Sequence, residues 1–214
     1  MMPMRSAMLL GCALAAGSAA ADLVPLSAIT NGSFDANLAR WAERDACRVH
    51  PQWVPVGATP IGGAALVREG QPWCTLGQNV AGPLPDVTLA SWWAQVAQTP
   101  NVNTGQGMGL YANAGARLLN ADLWEDKVQF QAFGSALQDI PFPGLAGPGR
   151  WYEVVLVRPT LTGHLFIDGN LTATATGPGA PQPDFLWFGD GANSGCCTAS
   201  PDVTWDEFYV GPAP

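Results

Sequence analysis

Apolar and polar residues alternate in short segments along most of this chain, and turn-forming residues separate the segments. In V-Q-F-Q-A at 128–132, apolar residues alternate with glutamines. This period of two residues is typical of a strand with one buried face. The runs 87–96 and 150–158 have the length and composition of central strands. Segments rich in glycine and proline, at 51–63 and 141–149, are predicted loops. The pattern predicts an all-β protein of about ten antiparallel strands without a long helix.

The most specific local signal is Asp168-Gly169, which lies between the strand-like runs 164–167 and 170–176. Both residues tolerate the positive φ angles of a two-residue type I′ turn, so the pair predicts a β-hairpin. The segments around it read, in order, W-Y-E-V-V-L-V, L-F-I-D-G, F-L-W-F-G-D and W-D-E-F-Y-V. This order resembles the last third of the concanavalin A-like, or laminin-G-like, jelly-roll family. The resemblance implies one antiparallel jelly-roll β-sandwich, a fold used mainly to hold carbohydrate or another protein.

The first part of the chain extends this resemblance to the whole predicted domain. N-G-S-F-D at 31–35 is similar to the start of several carbohydrate-binding modules, and the segment 76–96 is similar to a strand pair of the same modules. In a jelly roll the first and last strands lie side by side. The resemblance therefore implies that 31–35 lies close to T-W-D-E-F at 204–208.

Residues 1–21 have the pattern of a secretory signal peptide. A positive charge at Arg5 precedes an apolar segment at 7–16, and small residues follow at 19–21. Cleavage there leaves a domain of residues 22–214, a size suited to one β-sandwich. The sequence has no second apolar run of the ~18 residues that a membrane-spanning helix needs. We therefore expect an exported protein, secreted or periplasmic, that does not insert into membranes.

The charge of the chain argues against two classes of partner. Its formal net charge is −8, and Lys127 is the only lysine among 9 basic residues. Nucleic-acid binding needs a basic surface that neutralises phosphates, which this composition does not supply. An anionic membrane surface is disfavoured for the same reason. The expected partner is a glycan or polysaccharide, and the sequence leaves the oligomeric state open.

Four cysteines remain after the predicted cleavage, and an even number in an exported chain predicts two disulfides. Cys196 and Cys197 are adjacent, so they form either a vicinal bridge or two separate bridges to Cys47 and Cys74. The second arrangement is favoured, because neighbouring cysteines more often bond to distant partners. The sequence has no C-x-x-C spacing, and metal binding by thiolates is not expected in an oxidising compartment.

Asp35 and Asp206 are candidate ligands of a structural calcium ion. Many jelly-roll sandwiches of the family that this chain resembles hold calcium between an acidic residue of the N-terminal motif and an aspartate of the last strand, and these are the matching positions. Calcium prefers carboxylate and backbone carbonyl oxygens, and the turn at Gly32 could supply the latter. The alternative is that both are solvated acids at strand ends. If calcium binds, we expect it to clamp the termini.

A glycine-rich loop and two tryptophans are the candidate sugar-binding features. Asp190, Asn193 and Ser194 are short polar residues in F-G-D-G-A-N-S-G-C-C. Such side chains on a rigid loop can bind sugar hydroxyls, or they can bond to the loop's own backbone. Sugar rings also pack on aromatic planes, and Trp73 and Trp93 are the candidate platforms among nine tryptophans.

The sequence also predicts which tryptophans in strand-like segments point into the core. Trp92 and Trp93 are consecutive, so their side chains point to opposite faces of a sheet, one into the core and the other outward or under a loop. Trp151, Trp187 and Trp205 match core positions of the family, and we expect them to pack inside the sandwich.

The sequence carries no recognisable catalytic pattern. Retaining glycosidases of this fold have E-x-D-x-x-E on one strand, which directs three acids into the cleft. None of the five glutamates stands in that pattern, and D-L-W-E-D at 122–126 is the nearest approach. A polysaccharide lyase would need a tyrosine or histidine base beside a cation, and these residues are scattered along the sequence.

The sequence thus predicts a secreted, non-catalytic, lectin-like module. The alternatives are a structural or adhesive surface protein that contacts other proteins and, third, a divergent glycoside hydrolase.

Overall fold

Two antiparallel β-sheets pack face to face in the computed structural model, which describes residues 27–34, 37–44, 50–55, 62–68, 74–99, 104–112, 116–190 and 200–213. Strands are numbered in chain order. Sheet A has the spatial order β1 (Ala42–Arg44), β4 (Cys74–Asn79), β13 (Phe185–Asp190), β6 (Gln106–Ala112), β7 (Ala116–Leu123), β8 (Lys127–Ala132) and β9 (Gln138–Pro141). Sheet B has the order β12 (Asn170–Thr176), β11 (Thr162–Ile167), β10 (Arg150–Val157), β5 (Val87–Val96), β14 (Val203–Pro212), β3 (Ala64–Val67) and β2 (Gln52–Val54). A short 3-10 turn, Arg158–Thr160, follows β10.

Alternating side chains in the strands build the core between the two sheets. In β8, Val128, Phe130 and Ala132 are fully buried, whereas Gln129 and Gln131 lie on the outer face and are half-buried. Strands β10 and β11 have the same alternation. The architecture is therefore the all-β antiparallel sandwich that the period-two pattern of the sequence predicts.

An aromatic cluster joins the two sheets to the N-terminal segment. It consists of Phe34, Trp41, Phe188, Trp205 and Phe208, none of them more than 7% exposed. Phe188 of sheet A stacks on Phe208 of sheet B with ring centroids 4.7 Å apart, and Trp41 meets Phe188 edge-on at 4.9 Å. Aromatic pairs at such separations add to the stabilisation that comes from buried area. The cluster thus holds three separate parts of the chain together.

The N-terminal segment lies against the last strand, as the jelly-roll resemblance implies. The Phe208 N–H donates to the Gly32 carbonyl oxygen at 3.0 Å, and the Ala28 N–H donates to the Val210 carbonyl oxygen at 2.6 Å. A Cβ at Gly32 would overlap the Phe208 carbonyl group, so the close approach requires glycine. The predicted proximity of 31–35 and 204–208 is confirmed for the described part of the motif.

Asp168 and Gly169 form the predicted hairpin between β11 and β12, with φ angles of 50° and 75°. The Asp168 carboxylate also accepts a hydrogen bond from Arg150 Nη1 at 2.7 Å and one from the Trp151 N–H at 3.0 Å. The turn therefore fixes the start of β10 as well as reversing the chain.

The structure leaves two expectations about export untested. Residues 1–26 lie outside the described ranges, so the signal peptide and the start of the domain at residue 22 remain predictions. Within the described ranges no helix has the length and hydropathy to cross a bilayer.

Replacing Phe188 by alanine tests the role of the aromatic cluster. The substitution removes the ring that contacts both sheets and leaves a cavity, so we expect the free energy of unfolding to fall by about 3–5 kcal/mol in urea denaturation. Leu171→Ala is the control, because Leu171 is 60% exposed on β12 and its loss should cost less than about 0.5 kcal/mol. Similar small losses in both variants would show that the cluster does not hold the sheets together.

Candidate functional site

The outer face of sheet A has a floor of glycines at its centre. Gly107 and Gly109 of β6 point outward, between the buried residues Met108 and Leu110. A Cβ at Gly109 would lie 2.7 Å from Trp187 Nε1, and a Cβ at Gly107 would overlap the Asp122 carboxylate. Only glycine lets these two side chains lie directly on the backbone of the sheet.

A groove runs over this floor and crosses adjacent strands. It receives residues from β13, β6, β7 and β8, which are neighbours in sheet A. The residues that line it are Thr104, Gly105, Tyr111, Arg117, Asn120, Asp122, Gln129 and Trp187. Because the outward residues of neighbouring strands share one face, residues more than 60 positions apart in sequence meet here.

One end of the groove is aromatic and carries a cation. The rings of Tyr111 and Trp187 are 5.7 Å apart at an angle of 44°, and the Arg117 guanidinium lies 5.6 Å from the centre of the Tyr111 ring. Burial raises the pKa of Tyr111 above its ordinary value, and the charge of Asp122 acts in the same direction, while Arg117 and a hydrogen bond with Trp187 oppose the rise. Tyr111 is therefore a neutral hydroxyl at physiological pH.

The other end of the groove is polar. Asn120, which is 1% exposed, donates from Nδ2 to Asp122 Oδ2 at 2.8 Å. Gln129 donates from Nε2 to Asp139 Oδ1 at 2.7 Å, and Lys127 Nζ lies 3.1 Å from Asp139 Oδ2. The hydrogen bond from Gln129, followed by that from Lys127, lowers the pKa of Asp139. Each amide is thus held by a carboxylate and presents a fixed polar surface.

The two ends have different backbone positions along the strands. Arg117 pairs with Tyr111, and Asp122 pairs with Gly107. Tyr111 and Gly107 are four residues apart on β6, so their Cα atoms are separated by about 14 Å at ~3.4 Å per residue. Trp187 bridges these positions, because it lies against the Cβ positions of both Gly109 and Gly107.

The predicted calcium ligands are placed only in part. Asp206 is fully buried on β14 opposite Trp93, and its Oδ1 accepts a hydrogen bond from the Glu207 N–H at 2.8 Å. Asp35 lies outside the described residues, although Phe34 beside it packs against Phe208. A buried carboxylate is a suitable donor for a hard cation. Within the described ranges no group of three or more candidate ligands occurs, so calcium remains a prediction.

The predicted sugar-binding loop is largely outside the described part of the chain. This applies to Asn193, Ser194 and Trp73, and to the side chain of Asp190, whose backbone pairs with Cys74 at the end of β13. Their binding role stays a prediction. Trp93 is described and is only 5% exposed.

Trp92 and Trp93 point to opposite faces of β5, as predicted. Trp92 is fully buried in the core. Trp93 lies on the outer face of sheet B beneath Gly149, where a Cβ would overlap the indole. Trp93 therefore presents no open face to a sugar in this structure, and the platform predicted for it is not seen.

Cys74 is disulfide-bonded. The other predicted members of the two bridges, Cys47, Cys196 and Cys197, lie outside the described residues. The choice between a vicinal bridge and two separate bridges therefore stays open.

The aromatic residue at the centre of the groove was assigned wrongly from the sequence. Trp205 is fully buried, as expected, but Trp151 is 39% exposed on β10 and Trp187 lies half-buried on the outer face of β13. In the order F-L-W-F the inward positions belong to Leu186 and Phe188, and this alternation was the signal that could have placed Trp187 outside.

No protein-family model matches the chain, and no curated protein matches it. Solved structures are similar to it. A sialidase has a TM-score of 0.59 at 12% identity, with 85% of this chain covering 18% of that chain, so the chain spans less than a fifth of the sialidase. The alginate lyase AlgAT5 of polysaccharide lyase family 7 has a TM-score of 0.56 at 10% identity, over 83% of this chain and 96% of that one. The β-glucanase of Bacillus licheniformis has a TM-score of 0.55 at 15% identity, over 87% and 100%. The chain therefore has the concanavalin A-like jelly-roll fold that its sequence motifs imply.

These structures contradict the prediction that the chain is not an enzyme. A lyase and a glucanase, both enzymes by name, share the fold. A jelly roll without the E-x-D-x-x-E pattern is consequently not excluded from catalysis. At 10% and 15% identity the likeness establishes the fold alone, and function has to be argued from the groove.

The tyrosines give a test of the groove's burial. The chain has three, Tyr111, Tyr152 and Tyr209, and burial raises the pKa of each above 10.0. Because folding raises these pKa values, the neutral phenols stabilise the folded state below about pH 10, and this contribution is lost as the pH rises through the folded pKa values. Absorbance titration of the folded protein should show little tyrosinate at about pH 10, where an exposed tyrosine is half ionised. A step at that pH that disappears in Tyr111→Phe would show that Tyr111 is not buried.

Calcium binding at Asp206 can be tested by melting the protein in calcium and in chelator. A ligand at 100 times its Kd stabilises the folded state by about 2.7 kcal/mol, so we expect chelation to lower Tm by roughly 5–10 °C for a domain of this size. Asp206→Asn should abolish the difference, while Asp139→Asn, an exposed carboxylate, should keep it. An unchanged Tm in the wild-type protein would exclude a structural calcium.

Proposed function

We propose that this chain binds a polysaccharide along the groove on the outer face of sheet A and acts on glycans outside the cytoplasm. One observation carries the proposal. Trp187 lies on a floor of glycines, beside polar side chains that three neighbouring strands direct to the same place. Such a combination of an aromatic plane with a few convergent polar groups is typical of small-molecule and sugar sites.

The groove matches the two kinds of surface that a sugar has. The C–H face of a pyranose ring packs on an aromatic plane, which Trp187 and Tyr111 supply. Hydroxyl groups around the ring edge both donate and accept hydrogen bonds. Asp122 accepts, Arg117 donates, and Gln129 can do either. A sugar chain can therefore lie across β13, β6, β7 and β8 with its ring faces and edges both satisfied.

The groove also contains groups that could react with a bound glycan. Hydrolysis by two carboxylates requires a second acid about 5–10 Å from the first, and Asp122 is the only carboxylate among the described residues that line the groove. Elimination requires a proton-transferring group next to a cation, and Tyr111 lies beside Arg117. Both reactions leave products that can be measured along with binding. The fold that the chain shares with a lyase and a glucanase makes both assays necessary.

Export is part of the proposal. The signal-peptide pattern of residues 1–21 favours it, and disulfides such as the one at Cys74 persist in oxidising compartments. A polysaccharide of the cell surface or surroundings is the partner that such a protein would meet.

A second candidate function rests on the opposite side of the sandwich. The outer face of sheet B exposes Trp151 (39%), Val87 (43%) and Leu171 (60%). Exposed apolar residues on one face favour contact with another protein, as expected for a structural or adhesive surface protein. The two candidates place the binding surface on different sheets, so one pair of variants distinguishes them.

Trp187→Ala and Trp151→Ala form that matched pair. Both remove a partly exposed tryptophan from an outer face, but only Trp187 belongs to the groove. We expect a panel of polysaccharides to retain the wild-type protein, and Trp187→Ala to weaken binding at least about tenfold, a loss of about 1.4 kcal/mol. Trp151→Ala should bind as the wild type does. Loss of binding in Trp151→Ala alone would move the site to sheet B.

Turnover is measured on the same panel. New reducing ends without an unsaturated product indicate hydrolysis, and unsaturated uronate ends, detected by ultraviolet absorbance, indicate elimination. We expect activity of either kind to fall in Trp187→Ala with binding. Failure of every glycan to bind or to be cleaved would overturn the proposal and favour a protein-binding role.

A further inference from the structure

The groove contains a cation that has no carboxylate partner among the described residues. Two described basic side chains lie on the outer face of sheet A, Arg117 and Lys127. Lys127 is paired with Asp139 at 3.1 Å. Arg117 is exposed and, within the described residues, has no carboxylate within ion-pair distance. Its charge is therefore available to a ligand.

The position of Arg117 is fixed by its neighbour. Its guanidinium lies 5.6 Å from the centre of the Tyr111 ring, a separation at which the positive charge is attracted to the aromatic face. The planar guanidinium can bind both oxygens of a carboxylate through two parallel hydrogen bonds. This end of the groove therefore presents a positioned donor for a planar anion.

Asp122 acts on this end of the groove more weakly than Arg117 does. Asp122 pairs with Gly107, four residues along β6 from the Tyr111 that pairs with Arg117, and its charge acts on the pKa of Tyr111 less strongly than that of Arg117. Asp122 is also engaged by Asn120 Nδ2 at 2.8 Å. The backbone positions of the two charges are thus offset along the strands, with Arg117 beside the Tyr111 ring.

This arrangement is unexpected on a protein with a net charge of −8. A neutral glycan needs no unpaired cation, since hydroxyls are bound equally well by amides and carboxylates. A negatively charged glycan would be repelled by most of this surface and attracted only at such a point. An arginine without a carboxylate partner among the described residues is consequently informative about the ligand.

We propose that the polysaccharide bound by this groove contains uronic acid, with the carboxylate of one sugar on Arg117 and the hydroxyls of a neighbouring sugar directed to Asp122. The inference rests on the proposed function and names its substrate class. The sugar that carries the carboxylate packs against Tyr111 and Trp187, and the chain continues toward Asp122. Recognition is by charge at one end and by hydrogen bonds at the other.

Matched pairs of ligands test this inference. Alginate and polygalacturonate are each compared with the same polymer after chemical reduction of its carboxyl groups, which leaves the ring and linkage in place. We expect the wild-type protein to bind at least one acidic polymer about tenfold or more tightly than its reduced form. Arg117→Gln should lose this preference while retaining weak binding of both forms, and Arg117→Lys should keep part of it.

Arg68→Gln is the control, because it removes an equal charge from an exposed arginine paired with Asp202 away from the groove, and it should keep the full preference. Circular dichroism and Tm establish that each variant is folded. Equal or tighter binding of the reduced polymers that still depends on Trp187 would overturn the uronate inference and leave the glycan groove standing. An acidic preference that persists in Arg117→Gln would also overturn it. Failure of all polymers, acidic, reduced or neutral, would remove the proposed function with it.

Discussion

The stacking of Phe188 on Phe208 is the contact on which the rest of the molecule depends. It bridges the two sheets at 4.7 Å, and Trp41 and Phe34 attach the N-terminal segment to the same rings. Because side chains alternate along a strand, fixing Phe188 inward fixes Trp187 outward. The same strand register therefore places Phe188 in the core and Trp187 in the groove. The contact of Phe188 with Phe208 on one side of β13 thus sets the orientation of Trp187 on the other side.

Much of the fold could be predicted because its signals are local. The period-two pattern at 128–132, the Asp168-Gly169 hairpin and the long strand Val87–Val96 each depend on neighbouring residues. The short edge strands could not be found this way. Gln52–Val54 lies in a segment predicted as loop and is extended because it pairs with β3, and β9 ends at Pro141, a residue tolerated at a sheet edge.

The groove was out of reach for a different reason. Tyr111, Arg117 and Asp122 meet Trp187 only through strand order, since β13 inserts between β4 and β6 from a distant part of the sequence. Composition shows nine tryptophans but not which of them a loop covers, and Gly149 over Trp93 is such a cover. Scattered tyrosines and arginines in sequence gave no hint of their proximity. The loop favoured from sequence and the groove found in the structure are separate hypotheses about where a glycan would bind.

The glycine floor has a consequence for how this site can change. The glycines of the floor cannot be replaced without moving their neighbours, because even an alanine at Gly107 or Gly109 would collide with Asp122 or Trp187. The walls on β7 and β8 carry no such restriction, because Arg117 and Gln129 are held by contacts of their own side chains with Tyr111 and Asp139. Selection, natural or in the laboratory, would therefore keep the depth of the groove constant and diversify its rim.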